Sequence, residues 1–276
     1  MSAYSAYEAG WLGRGKFGRG KLPMTWNLQS IEHETFKRNT VAAVIAQIRF
    51  HPILKVPDRV AEFQDRVRGT FPGFAEVETR EVGFRSPLGL EVREGKEFQF
   101  RKQDGSAMVN LGPAAIALEN RDHKSHKDFL ADMKVATDAL LEVFSPIAPT
   151  RLGLRYVNSI NREAIAADLK RPVEWSHLLD SKFISVPTEL ADLEDTLFSS
   201  EVRSPAERGM LTLRLGLLRH GDEEKAQYRL DLDRYVEGGF EMVEIFDLFE
   251  LFTKDIYSLF RAAAGATLLE WMELKT

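Results

Sequence analysis

The sequence predicts an α+β fold of two tandem units, each running strand, helix, several antiparallel strands and long helix. Three observations carry this expectation. Short segments alternate apolar and polar residues at period two, as half-buried antiparallel strands do. The long amphipathic stripes are few, and one closes each half of the chain. Ile48-Arg49-Phe50 matches Leu154-Arg155-Tyr156 in type and alternation, so a plan begun at Val41 restarts at Arg151. Strands in runs with helices gathered on one face define the class. The expected organisation is a tail over 1–23, an N-terminal half over 24–150 and a C-terminal half over 151–276, sharing one core.

Residues 1–23 stand apart. Trp11 to Lys21 is rich in glycine and cations, and Arg14, Lys16, Arg19 and Lys21 against Glu8 give the segment a net +3, leaving −8 for the rest. Glycine this dense predicts a flexible arm. Its cations and rings suit nucleic acid, whereas short basic extensions commonly have no role. Gly13-x-Gly-x-x-Gly18 has no strand before it and no helix after it, so it is not a dinucleotide fingerprint.

Val41 to Phe50 reads as a central strand that His51-Pro52 ends. Pro57 to about Thr70 reads as a helix with Val60, Phe63, Val67 and Phe71 at helical spacing, broken by Pro72-Gly73. Glu76 to Phe84 is a second strand. Glu97 to Leu111 forms a hairpin whose turn is Gln103-Asp-Gly-Ser106, and Ala114 to Glu119 another strand. A helix from Lys127 to about Phe144 is capped by Ser125 or His126.

The strand Arg151 to Ile160 puts Leu152, Leu154, Tyr156, Asn158 and Ile160 inward, and Arg151 and Arg155 around the bare Gly153 outward. Pro172 to Leu179 predicts the short helix of the second half. A loop at Val186-Pro187 precedes a mixed stretch near Leu197–Val202. Met210 to Leu218 and Gln227 to Asp233 are strands joined by a turn at His220 to Glu224. Glu241 to about Met272 is a wide-faced apolar helix that Gly265 interrupts.

The order of elements resembles two copies of the TATA-binding-protein-like unit, a curved antiparallel sheet backed by two helices. Four features together resemble a sporadically distributed bacterial and archaeal family with no assigned function. They are Val41–Phe50 followed by His51-Pro52, the Arg151-Leu-Gly-Leu-Arg-Tyr-Val-Asn158 strand, Leu230-Asp-Leu-Asp-Arg234, and the helical tail with Phe260. This resemblance implies a shared fold over roughly 30–272 and brings no catalytic residues. The sporadic distribution implies an accessory or host-defence role.

Composition narrows the classes. The 276 residues are 44% hydrophobic and 29% charged, enough apolar material for a sizeable core. With no cysteine, disulfides and thiolate chemistry are excluded, which fits a reducing cytoplasm. The net charge of −5 does not mark the whole molecule as a nucleic-acid binder, and no apolar run predicts a membrane span. His123 and His126 lie close in sequence without a third ligand, and no metal or cofactor is expected.

The candidate site is polar. Arg49, Arg155, Arg214 and Arg229 stand on the outward faces of their strands, where a continuous sheet would gather them with Gln47, Asp231 and Asp233. Guanidinium groups suit phosphates and carboxylates; arginine–aspartate ladders also merely keep a sheet face soluble. Asp231 and Asp233, roughly 7 Å apart on one face, could hold a cation or act as acid and base. The leading expectation is a non-catalytic cytoplasmic binding protein for a protein partner or an anionic ligand, pairing with a second copy through its aromatic C-terminal helix. A second reading is an enzyme on a nucleotide or phosphorylated substrate; a third is a nucleic-acid binder using tail and arginine face.

Overall fold

Val41–Phe50 (β1) and Pro149–Ile160 (β6) lie side by side and antiparallel at the centre of the sheet, Val44 opposite Tyr156 and Ile48 opposite Leu152. The computed structural model describes residues 31–32, 34–85, 89–184, 197–219 and 226–274, and of 79–85 and 89–94 the backbone alone. The tail over 1–23, His33, Val186-Pro187 and the turn at His220 to Glu224 lie outside the described residues.

The other strands are β2 (Gly73–Arg85), β3 (Gly89–Arg101), β4 (Ala107–Gly112), β5 (Ala115–Asn120), β7 (Phe198–Pro205), β8 (Met210–Leu218) and β9 (Gln227–Glu237). With β1 and β6 they form, among the described residues, one open, nine-stranded antiparallel sheet in the order β2-β3-β4-β5-β1-β6-β9-β8-β7. The α-helices among the described residues are α1 (Val60–Val67), α2 (His126–Phe144), α3 (Arg162–Leu169), α4 (Trp175–Leu178), α5 (Ile245–Ala263) and α6 (Ala266–Met272). The fold is α+β. No helix among the described residues is long and apolar enough to cross a membrane.

Alternation sets the core. Val44, Ala46, Ile48 and Phe50 of β1, Leu152, Leu154 and Ile160 of β6, and Leu211, Leu213, Leu215 and Leu217 of β8 are all buried on one face. The long helices lie against it, α2 on β5 and α5 on β6 and β9. Helix α2 starts where Ser125 accepts from the Asp128 N–H, the expected cap. Helix α5 contributes Phe249 and Phe252, both fully buried.

The interruption at Gly265 is steric: a Cβ there would stand 2.5 Å from the His177 carbonyl oxygen. The close approach lets the Gly265 N–H donate to the Leu178 carbonyl, tying α4 to the α5–α6 corner.

Several expected elements differ. The helix that follows β6 is α3, which the sequence reading passed over; the expected Pro172–Leu179 helix shrinks to the single turn α4. Helix α3 buries only Ile165, so it leaves almost no apolar stripe to read, and it depends on Asn161 accepting from the Ala164 N–H. The mixed stretch near Leu197 is the edge strand β7, half-exposed and poor in apolar residues. The strand expected over Glu76–Phe84 runs from Gly73 to Arg85, and β3 begins at Gly89 rather than Glu97. These strands pair from Gly73↔Arg101 to Arg85↔Gly89, yet β4 joins β3 only from Phe98 to Arg101, so most of the hairpin forms a ribbon with no third strand among the described residues.

Asn158 and Arg234 are two of the polar residues that face inward. Asn158 is buried; its Oδ1 accepts from the Thr40 hydroxyl at 2.9 Å and its Nδ2 donates to the Leu230 carbonyl at 3.1 Å. Arg234, on the core face of β9, is 0% exposed. Its Nε donates to Asp255 Oδ2 at 2.8 Å and its Nη1 to the carbonyls of Arg208 and, at 3.3 Å, Met210. Its guanidinium sits 4.7 Å from the Phe252 ring centroid. A single arginine thus ties β9 to α5 and to the turn before β8.

Candidate functional site

Because β1, β6, β9 and β8 are consecutive in the sheet, alternate residues of each share the surface opposite α2 and α5. The register aligns them. Arg49 lies across from Arg151, Gln47 from Gly153 and Gly153 from Tyr235; Arg155 lies across from Asp233, and Asp231 from Arg214. All six predicted site residues belong to this surface, but the sheet distributes them rather than converging them.

Arg155 and Asp231 form a bidentate pair, Nε to Oδ1 at 2.8 Å and Nη2 to Oδ2 at 2.5 Å. Asp231 is only 2% exposed, so its charge is taken from water and returned to a guanidinium in matched geometry. Asp231 is thereby paired with Arg155 within the sheet face. Arg214 donates to Glu201 on β7 at 2.6 Å, and Arg203 to the other oxygen at 2.6 Å. Burial works to raise the Glu201 carboxyl, and the bonds from Arg214 and Arg203 outweigh it, holding it below its usual value. Arg229 lies across from Ser159 and Gly216, toward the opposite end of β9 from Tyr235, and has no ion pair to a carboxylate among the described residues.

The remaining group is built differently. Arg49 and Arg151 are direct cross-strand neighbours, and like charges so placed repel. One oxygen, Gln47 Oε1, accepts from both, from Arg49 Nε at 2.9 Å and Arg151 Nη1 at 3.2 Å. Gly153 makes this reachable. A Cβ at that position would lie 2.8 Å from Arg151 Nη1, so the bare backbone leaves room for Arg151 to fold across its own strand in this position. The folded guanidinium rests 4.6 Å from the Tyr235 ring centroid. Arg49 is exposed and bonds to no carboxylate among the described residues.

Asp233 stands beside this group. Its Oδ2 is 3.9 Å from Arg151 Nη2 and 3.9 Å from Arg214 Nη1, too far for a hydrogen bond. Burial raises its carboxyl above the usual range, and the pull of Arg151, Arg214 and Arg155 does not restore it.

Sequence reasoning omitted Arg151, Tyr235 and Glu201 from the candidate set. The signal for Arg151 was present in the two arginines flanking Gly153 on one face. Tyr235 and Glu201 needed the register of β9 and β7. Elsewhere, His126 Nε2 lies 3.9 Å from Glu250 Oε2, and no group of three metal-competent side chains occurs among the described residues. Neither protein-family models nor curated proteins gave a match to the chain.

Proposed function

We propose that this chain is a non-catalytic binding module that takes an anionic ligand, a phosphate or carboxylate group, on the sheet face opposite its long helices. The observation that carries the reading is the Arg49–Gln47–Arg151 group. Two guanidiniums held side by side with one neutral acceptor between them retain donors and net positive charge, the arrangement an oxyanion neutralises. The nearest acids, Asp233 and Glu237, each stand 3.9 Å from the Arg151 guanidinium, which suits charge balance more than proton transfer.

We propose likewise that the fold consists of two TATA-binding-protein-like units joined through their first strands. Supporting it, the chain runs β1, α1, β2–β5, α2 and then β6, α3, β7–β9, α5, and the last strand of each run lies beside its first, β5 by β1 and β9 by β6. By the match of Ile48-Arg49-Phe50 to Leu154-Arg155-Tyr156, such a duplication would make Arg155 the counterpart of Arg49. Membership of the sporadic family with the Arg151–Asn158 motif, and an accessory role in a cytoplasmic setting, are proposed on the same footing.

Calorimetric titration with sodium sulfate and with a nucleoside triphosphate tests the binding reading. Arg49→Ala is expected to weaken binding about tenfold or more, the worth of one charge-assisted hydrogen bond of roughly 1.5 kcal/mol. Gly153→Val should do the same without touching an arginine, since its side chain displaces the Arg151 guanidinium from Gln47. Unchanged affinity in both variants, or no binding of either anion by the wild-type chain, sinks the proposal.

A further inference from the structure

We infer that Asp233 is the internal counter-anion of this site, so that an anion bound at Arg49 and Arg151 and a proton bound at Asp233 favour one another. The inference rests on the binding reading above and deepens it by adding regulation.

The geometry is that of a placeholder. Arg151 is shared: its Nη1 serves Gln47 at 3.2 Å, on the side of Arg49, while its Nη2 faces the Asp233 carboxylate at 3.9 Å. Arg214 also leans on Asp233 at 3.9 Å but spends its short bond on Glu201. Asp233 is thus near enough to offset the charge of both arginines, yet it makes no hydrogen bond to a described residue that would hold it ionised. An ion pair without hydrogen bonds in a half-enclosed place is the kind most easily exchanged.

The groups facing it are accounted for by element. Arg151 and Arg155 come from β6, Arg214 and Thr212 from β8, and Asp231 and Tyr235 from its own strand. Beyond them are Glu201 and Arg203 on β7, Gln47 and Arg49 on β1, and Glu237, 3.9 Å from Arg151 Nε. Asp231 is balanced by Arg155 and Glu201 by Arg214 and Arg203. Burial raises the Tyr235 phenol, which stays neutral. Among the described acids of this face, Asp233 is thus the one whose carboxyl burial holds above its usual range. Protonating it releases Arg151 from its internal anion and leaves the site one unit more positive; a bound anion in turn raises the proton affinity of Asp233.

The test is sulfate binding to the full chain, followed by calorimetry from neutral pH down into the carboxylate range, because sulfate keeps its charge throughout. Wild-type affinity is expected to strengthen as pH falls, approaching about tenfold per pH unit where one proton is linked. Asp233→Asn should bind at neutral pH as tightly as the wild type does at low pH, with little slope. Repeating the wild-type titration in buffers of different ionisation enthalpy counts the proton directly and does not depend on the variant folding. Sulfate binding with no slope and no proton uptake overturns this inference and leaves the binding reading standing. Sulfate binding by neither protein at any pH removes both.

Discussion

Arg234→Ala is expected to destabilise the fold by about 3–5 kcal/mol, the loss seen when a large buried side chain is removed and buried acceptors are left without a donor. The guanidinium is fully buried and serves Asp255 and two backbone carbonyls, so truncation leaves a cavity under Phe252 and carbonyls with no donor. In a chain of this length each kcal/mol shifts Tm by roughly 2–4 °C, so a fall of the order of 10 °C is expected. Arg234→Lys should rescue little, because an ammonium cannot fork toward Asp255 and the two carbonyls together. Arg234→Met should recover part of the loss by refilling the space. Urea unfolding of the three variants measures this; equal midpoints for wild type and Arg234→Ala would show that the buried arginine does not hold β9 to α5.

Arg155→Ala is expected to cost about 3 kcal/mol, the lower end of the same range, since removing Arg155 also lets water reach Asp231. The companion variant decides between structure and chemistry. Asp231→Asn keeps the shape, loses the charge and leaves Arg155 without its bidentate acceptor, so it too should lower Tm. Replacing both, Arg155→Met with Asp231→Leu, should return stability close to the wild type, because a matched apolar pair avoids the desolvation that the ions incur. A thermal melt of all three variants reads the pattern. Asp231→Asn with unchanged Tm would favour Asp231 as a chemically active acid over a structural partner of Arg155.

How much of this was legible beforehand varied with the physics behind each signal. Strong alternation announced β1, β6, β8 and β9, because their inward residues are almost all apolar and the period is two. Helix α5 was equally plain from its wide apolar face. Helix α3 was not, since one buried isoleucine makes no stripe. Edge strand β7 was blurred for the same reason: Ser199, Ser200 and Glu201 need not face a core. For the site, the face of each arginine was readable from parity alone. Which acid each would take was not, because Arg155 chose Asp231 over its direct neighbour Asp233, and Arg214 reached across to β7. Those choices depend on side-chain diagonals that a strand pattern does not encode. Arg234 was missed because a buried cation at a core position violates the pattern that reveals the core.

The seam between β1 and β6 bears on how the chain comes together. The nine paired positions from Val41↔Asn158 to Phe50↔Pro149 join residues about a hundred apart in sequence. A ladder of such separation is expected to close late, after the cost of a long loop of chain has been met, and to slow assembly. Cut between residues 148 and 149, each piece would carry at its border a strand fit for the middle of a sheet, with an unsatisfied row of amides and carbonyls. Expressed apart, the two pieces are expected to aggregate, or to pair with copies of themselves. Expressed together, they should find one another along that seam and purify as a complex by size exclusion. Two stable, monomeric fragments would instead mean that each half covers its own border without the other.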